Sequence, residues 1–142
     1  MDYTSLAREY MQVMHHMRDK NGQKKIHDSM HGENFMLSYI SRRQGGIIPS
    51  EISNEMGITS ARIAAALNSL EAKGLITRRI DTEDRRRILI DLTEAGREQA
   101  KKHYEMIMNI TVNMLQYLGE EDAKELVRIM KKLADRSPEE FI

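Results

Sequence analysis

Apolar residues recur at intervals of three and four along most of the chain, which predicts helices. Proline and glycine mark several helix ends: Pro49 begins one helix, while Gly57 and Gly74 each lie just beyond the end of another. Thr59 or Ser60 is placed to cap the helix that Gly74 ends. The pattern predicts helices over residues 3–20, 33–43, 50–56, 60–73, 94–118 and 121–135.

After the fourth helix the apolar period changes from 3.6 residues to two. The segments 75–80 and 87–92 are rich in β-branched residues, and apolar side chains alternate with others from Ile88 to Leu92. Between the two segments lies a charged, polar turn over residues 81–86. These features predict a β-hairpin with a long tip.

The order of a short helix, a glycine turn, a longer helix and a hairpin predicts a fold class. We expect a mainly α protein with a small β-hairpin wing, in which residues 47–93 form a winged helix-turn-helix. The flanking helices, in residues 1–46 and 94–142, complete a single domain over residues 1–142. Each flank carries an apolar stripe too long for one small winged motif to cover, so we expect these helices to form a homodimer interface, with packing inside the subunit as the alternative.

Charge and cysteine content restrict the classes of function that fit this sequence. The 142 residues carry 22 basic and 22 acidic side chains, so the formal net charge is zero. The segment 73–88 nevertheless holds six basic and three acidic residues, a local basic strip compatible with a small DNA footprint. Cysteine is absent, which excludes disulfides and thiol chemistry. The chain lacks an apolar run of membrane-spanning length and a signal-peptide core, so we expect a cytoplasmic protein without a membrane partner.

The exposed face of the fourth helix is small and hydrogen-bonding rather than rich in Glu and Lys. It consists of Ser60, Ala61, Arg62, Ala65, Asn68 and Ser69. A helix fits the major groove of DNA, and an arginine-bearing hairpin tip suits the negative minor groove. The predicted DNA contacts are therefore Ser60, Ala61, Arg62 and Asn68 on the helix and Asp84, Arg85 and Arg86 at the tip. Taken alone, the arginines would fit a solvated turn equally well.

Two segments carry a resemblance to a known family. The run from Gly74 to Arg78 reads GLITR, and the run from Asp84 to Gly96 reads DRRRILIDLTEAG. Both resemble the MarR family of transcription regulators, with its glycine-leucine strand, DRR-type wing and LTxxG ending. The resemblance implies a dimer that binds double-stranded DNA at a near-palindromic operator, often as a repressor that small phenolic or lipophilic compounds release. It also implies that Asp84 orients Arg86. From the residues alone, Asp84 is either an ordinary turn residue or the partner of Arg78 or Arg86 in an ion pair.

The resemblance has departures. Family members often carry an arginine where this chain has Ala65, which leaves Arg62 as the only arginine on that face. Sequence readout by this helix therefore rests on fewer side chains than usual. A member without cysteine also cannot sense peroxides through a thiol.

Methionine and histidine suggest two further sites. The 11 methionines are concentrated in the flanking helices, and methionine suits an adaptable pocket. A hydrophobic effector pocket near Met14, Met17, Met36 and Tyr39 is one interpretation, and ordinary core packing is the other. His27 and His31 are four residues apart, but no clustered ligand completes a zinc site, so we expect no metal and no cofactor.

Two other function classes are weaker. The neutral charge permits a winged helix that binds a protein instead of DNA. An enzyme is disfavoured because the sequence shows no paired carboxylates, phosphate-binding glycine loop or activated nucleophile.

Overall fold

The computed structural model describes the backbone of residues 1–20 and 24–142 and the side chains of residues 1–18 and 32–142. Within this part of the chain the protein is mainly helical, with one two-stranded antiparallel sheet. The elements are α1 (Tyr3–Lys20), α2 (Lys24–Arg42), α3 (Pro49–Met56), α4 (Ser60–Ala72), β1 (Ile76–Ile80), β2 (Ile88–Leu92), α5 (Glu94–Leu118), α6 (Glu120–Ala134) and a final 3₁₀ turn (Pro138–Phe141). The predicted winged helix-turn-helix fold class is confirmed.

Most helix boundaries agree with the prediction, but the start of α2 does not. The sequence pattern placed it at Glu33, whereas the helix begins at Lys24 and continues through Gly32. A glycine costs a helix interior only about 1 kcal/mol, which the turns on either side of Gly32 outweigh. The 3₁₀ turn near the C-terminus was not predicted either.

The helix-turn-helix is closed by local capping. Thr59, rather than Ser60, caps α4: its hydroxyl accepts a hydrogen bond from the Arg62 N–H at 3.3 Å. Gly57 ends α3 in the left-handed region at φ 65°, which glycine adopts without strain. The Ser53 hydroxyl donates to the Ile58 carbonyl at 2.7 Å and so ties α3 to the turn. These contacts set the direction in which α4 leaves α3.

The hairpin has an additional backbone neighbour, Ile47, that the sequence pattern did not indicate. The two predicted strands form an antiparallel hairpin, in which β1 pairs with β2 in the register Ile76 to Leu92 through Ile80 to Ile88. On its other edge, β2 pairs with a single residue, Ile47, through two hydrogen bonds to Ile90 of 2.8 and 3.2 Å. Since β2 pairs with β1 along one edge and with Ile47 along the other, it is the central strand of the wing.

One hydrophobic core joins the wing to the helices that precede it in the chain, α2, α3 and α4. Its apolar side chains expose 7% of their surface or less. Those in α2, α3, α4 and the hairpin region are Met36, Leu37, Tyr39, Ile40, Ile47, Ile52, Ile63, Leu67, Leu70, Leu75, Ile76 and Ile90. Burying such side chains stabilises the fold by roughly 1.5–3 kcal/mol each. This core decides where α4 and the wing lie.

A tight corner connects the wing to α5. The Leu75 carbonyl accepts the Thr93 N–H at 3.1 Å, and the Thr93 hydroxyl donates to the Gly74 carbonyl at 2.6 Å. The same hydroxyl accepts the Gly96 N–H at 3.0 Å, which caps the first turn of α5. A Cβ atom on Gly96 would collide with the Leu75 carbonyl oxygen. The threonine and the glycine of the LTEAG segment are therefore both required by this corner.

The chain divides into two compact units, Met1–Arg97 and Glu98–Ile142. Within the second unit, many large apolar side chains of α5 and α6 are exposed by 39% or more. They are Tyr104, Met106, Ile107, Met108, Ile110, Val112, Met114, Tyr117, Val127, Ile129, Met130 and Leu133. Among the described residues, no helix is both long and apolar enough to cross a membrane.

The corner at Gly96 gives a stability prediction. Gly96→Ala should lower the free energy of unfolding by about 1–3 kcal/mol, because the new methyl group must displace backbone rather than a flexible side chain. Gly32→Ala is the control, since nothing lies within 4 Å of its added Cβ, and it should raise stability by up to about 1 kcal/mol. Urea denaturation of both variants measures the difference, and equal shifts in one direction would contradict the account.

Candidate nucleic-acid interface

The first turn of α4 presents the side chains that the sequence predicted for DNA contact. Ser60, Ala61 and Arg62 are exposed, as is Ala65 one turn later. The opposite side of the helix is buried through Ile63, Leu67 and Leu70. The helix is thus held by one face, and its N-terminal turn is open to solvent.

The C-terminal half of that face differs from the prediction at Ser69. Ser69 was grouped with the open face, but its hydroxyl donates to Glu33 Oε1 of α2 at 2.7 Å. Lys73 Nζ lies 2.7 Å from the other oxygen of the same carboxylate. Partial burial raises the pKa of Glu33, but the hydrogen bonds from Lys73 and Ser69 outweigh it and lower the pKa below the ordinary 4.5. Ser69 therefore ties α4 to α2.

Asn68 is exposed but not free of contacts. Its side-chain oxygen accepts a hydrogen bond of 2.7 Å from Arg78 Nη2 on β1. Arg78 Nε also lies 3.6 Å from Glu71 Oε2, an ion pair without a hydrogen bond. Arg78 is thus paired with α4, and the predicted alternative of an Arg78–Asp84 pair is wrong.

At the tip of the wing, Asp84 and Arg86 form the expected pair. The Asp84 carboxylate accepts from the Arg86 backbone N–H at 3.1 Å and from its guanidinium at 3.2 and 3.5 Å. These hydrogen bonds lower the pKa of Asp84 below the ordinary 3.8. The Arg86 side chain is 92% exposed, and Arg85 beside it is also exposed. The turn holds a guanidinium outward, away from the core.

A groove lies between the helix-turn-helix and the hairpin. It has a volume of roughly 170 Å³ and is lined by residues of α3, α4 and the strands, including Ser60, Ala64 and Ile88. Both Ser60, at the start of α4, and Ile88, just after the wing tip, border this groove.

One polar cluster was missed by the sequence reasoning. Arg79 Nε donates to Asp91 Oδ2 at 2.7 Å, and the other oxygen of Asp91 accepts the Gly46 N–H at 2.8 Å. A Cβ on Gly45 would lie 2.6 Å from the same carboxylate. Partial burial raises the pKa of Asp91, but its hydrogen bonds with Arg79 and Gly46 outweigh it and lower the pKa below 3.8. The cluster anchors the loop after α2 on the base of the wing.

The proposed effector pocket is divided between two environments. Met36 and Tyr39 are buried in the core, whereas Met14 and Met17 on α1 expose 44% and 54% of their surface. His27 and His31, the two histidines considered for a zinc site, lie outside the residues whose side chains are described. Among the described residues, no group of three or more potential ligands is placed to hold a metal ion.

Comparison with known proteins identifies the family. The MarR family model matches residues 35–87, which contain α3, α4 and most of the wing. The chain is 33% identical over 100 residues to the uncharacterized HTH-type transcriptional regulator YwhA of Bacillus subtilis, covering 70% of this chain and 71% of YwhA. The chain belongs to the MarR family. It is thus a DNA-binding transcriptional regulator of the MarR type and not an enzyme, as predicted.

Further relatives and solved structures are similar to this chain. The HTH-type transcriptional repressor MdtR of Bacillus subtilis is 30% identical over 100 residues, covering 70% of this chain and 64% of MdtR. The YusO structure from Bacillus subtilis has a TM-score of 0.71 at 24% identity and covers 94% of this chain and 98% of YusO. The DNA complex of FabT from Streptococcus pneumoniae has a TM-score of 0.65 at 23% identity and covers 94% of this chain and 99% of FabT. These structures share the fold of this MarR chain.

The Asp91 cluster predicts a pH dependence. Because the folded state lowers the pKa of Asp91, its stabilisation is fully present above the unfolded pKa of about 3.9 and is lost as the pH falls through the folded value. Asp91→Asn should reduce the free energy of unfolding by about 1–2 kcal/mol at pH 7, with the difference shrinking below about pH 4.

Chemical denaturation between pH 3 and 7 measures this difference. Glu83→Gln is the control, because Glu83 is an exposed wing carboxylate whose side chain makes no hydrogen bond among the described residues. A deficit of Asp91→Asn that stays constant down to pH 3 would contradict the role of the carboxylate.

Proposed function

We propose that this MarR-family chain is a sequence-specific repressor that binds a near-palindromic operator as a homodimer in the cytoplasm. The observation that carries the proposal is the pairing of two exposed cationic ends in one unit. Arg62 lies on the open first turn of α4, and Arg86 is held outward at the wing tip by Asp84. A major-groove helix beside a minor-groove hairpin needs this arrangement.

Each side chain at the surface then has a distinct role. Ser60 and Ala61 are small enough for the first turn of α4 to approach the floor of the major groove. Arg62 would reach a base edge there, since a guanidinium bonds well to the O6 and N7 atoms of guanine. Arg85 and Arg86 would lie against the phosphates and minor groove, where sequence matters less.

Dimerisation is supported by the apolar surface of the flanking helices. In the first unit, α1 exposes Tyr10, Val13 and Met17 by more than half of their surface. In the second, α5 exposes Tyr104 and Ile110 to a similar degree. Monomeric proteins rarely expose apolar patches of this kind, so a second copy of the chain is the proposed cover. Two winged units would then face successive half-sites of the operator.

A small aromatic or lipophilic effector is proposed to release the DNA. Met14 and Met17 provide exposed, adaptable thioether side chains, while Met36 and Tyr39 belong to the core. A ligand that drew these side chains together would move α1 relative to the winged helix-turn-helix of residues 47–93. Such a movement would change the spacing between two winged units and so weaken operator binding.

Binding of a protein instead of DNA is the alternative function. The neutral overall charge permits it, but the small side chains and exposed arginines of this surface favour DNA. The response of binding to salt separates the two, because contacts with phosphates release counterions.

Arg62 and Arg86 should affect operator binding in different ways. Arg62→Ala should relax base preference at one position in each half-site, at a cost of about 1–3 kcal/mol. Arg86→Ala should weaken binding more evenly across sequences. If the dimer makes about eight phosphate contacts, log affinity should fall with log salt at a slope near −7, and Arg86→Ala should make that slope shallower.

Fluorescence anisotropy with duplexes of the chain's own promoter region measures these quantities. Glu83→Gln is again a suitable wing control, since it changes the charge of the tip without removing an arginine. Wild-type affinity for both arginine variants would contradict the assigned roles, and salt-insensitive binding to a protein would favour the alternative.

The free chain should be a dimer, and a small aromatic effector should release it from the operator. At micromolar concentration the free chain should sediment at twice its 16.5 kDa mass, and one dimer should bind one labelled operator duplex. Millimolar aromatic acids should then separate the duplex from the dimer. A monomer in the first measurement would overturn the dimer, and a complex that no such acid binds or weakens would overturn the effector.

A further inference from the structure

Asn68 has the type and exposure of a base-reading residue, yet its carboxamide is already engaged. Its oxygen lies 2.7 Å from Arg78 Nη2. A guanidinium only donates hydrogen bonds, so the atom that faces Arg78 must be the oxygen of Asn68. The bidentate contact of asparagine with adenine uses that oxygen together with the amide nitrogen. The hydrogen bond to Arg78 occupies one of the two lone pairs of that oxygen and holds the carboxamide in one orientation.

Arg78 is well placed to act as the fixed partner. It lies on β1 opposite Ile90, which is fully buried, and its own side chain is only 28% exposed. Its Nε atom lies 3.6 Å from the carboxylate of Glu71. Asn68 and Glu71 are three residues apart on α4 and so share one face of the helix. One strand-borne guanidinium thus holds two points of the recognition helix.

We propose that Asn68 is a positioning residue, and that Asn68, Glu71 and Arg78 form a clasp that sets the angle between α4 and the wing. The inference rests on the proposed function, because that angle matters only if both elements meet one DNA duplex. In this account Asn68 acts through Arg78 and contributes no base contact. Sequence preference then comes from the first turn of α4.

The angle has a functional consequence because α4 and the wing tip must reach different grooves. Groups that act together at a binding site need placement to within about 0.5 Å, and supporting hydrogen bonds supply that precision. The hydrophobic core fixes the buried face of α4 through Ile63, Leu67 and Leu70. The clasp adds a directional polar contact on the exposed side of the same helix.

The test compares two substitutions of one residue. Asn68→Ala removes the acceptor and opens the clasp. Asn68→Asp keeps an oxygen facing Arg78 and strengthens the hydrogen bond by its charge, but removes the amide donors that a base contact would use. Duplexes enriched from a random pool by the wild-type chain serve as the common ligand, and each variant is measured for affinity, base preference and thermal midpoint.

The clasp predicts a specific pattern. Asn68→Ala should bind about tenfold more weakly with an unchanged base preference, as expected for loss of a hydrogen bond to a charged group. Asn68→Asp should bind within about threefold of wild type. Arg62→Ala provides the contrast, because it should change the base preference. Both Asn68 variants should remain folded at the assay temperature, so that the loss is not one of stability.

A double-substitution cycle tests the partner. Arg78→Lys keeps the charge but cannot hold both Asn68 and Glu71, and it should weaken binding about as much as Asn68→Ala does. Combining the two should cost no more than either alone, because they remove the same contact.

Three results would overturn the clasp while leaving the proposed function intact. The first is a loss of affinity in Asn68→Asp as large as in Asn68→Ala, and the second is an altered base preference in Asn68→Ala. The third is additive losses in the double substitution. If the wild-type chain enriches no duplex at all, the proposed function fails, and the clasp fails with it.

Discussion

The wing of this protein depends on the burial of its inner face. A two-stranded hairpin is marginal by itself in water, so β1 and β2 need an apolar surface to pack against. Ile76 and Ile90 provide it, with 2% and 0% of their surface exposed. Ile90 also pairs with Ile47 across the other edge of β2. The strand that carries the wing is therefore fixed by the same core that holds α4.

The polar contacts around that core then set the exposed ends. Asp91 ties the base of the wing to the loop after α2, and Thr93 closes the corner into α5. Glu33 holds the C-terminal part of α4 through Ser69. None of these side chains is among the proposed DNA contacts. They make the recognition helix and the wing one rigid surface, and a rigid surface loses less conformational entropy when it binds.

Much of this architecture follows from local patterns. Apolar periodicity, together with Pro49 and Gly57, defines the helix-turn-helix because each of these residues acts on its own immediate neighbours. The wing follows from the change of period after Gly74. The pairing of Asp84 with Arg86 was implied by the family resemblance, whereas the residues alone left both Arg78 and Arg86 as possible partners. The start of α2 was not predictable, because Gly32 weakens a helix signal without ending the helix.

The contacts that the sequence could not reveal are long-range. Ile47 forms a strand of one residue, which has no periodicity to detect. Arg79 meets Asp91 only in the observed strand register, and Asp91 meets Gly46 only because the loop folds onto the strand. Ser69 was assigned to the wrong surface because the edge of a helix face depends on its neighbour, here Glu33 of α2. Each of these depends on tertiary packing, which local patterns do not encode.

In the proposed complex, α4 enters the major groove while Arg86 enters an adjacent minor groove of the same site. Dimethyl sulfate footprinting tests it directly, because the reagent methylates guanine N7 in the major groove and adenine N3 in the minor groove. The wild-type chain should protect both kinds of atom, and Arg86→Ala should lose the adenine protections while keeping those at guanine. Protection confined to one groove, or adenine protections that persist in Arg86→Ala, would contradict it.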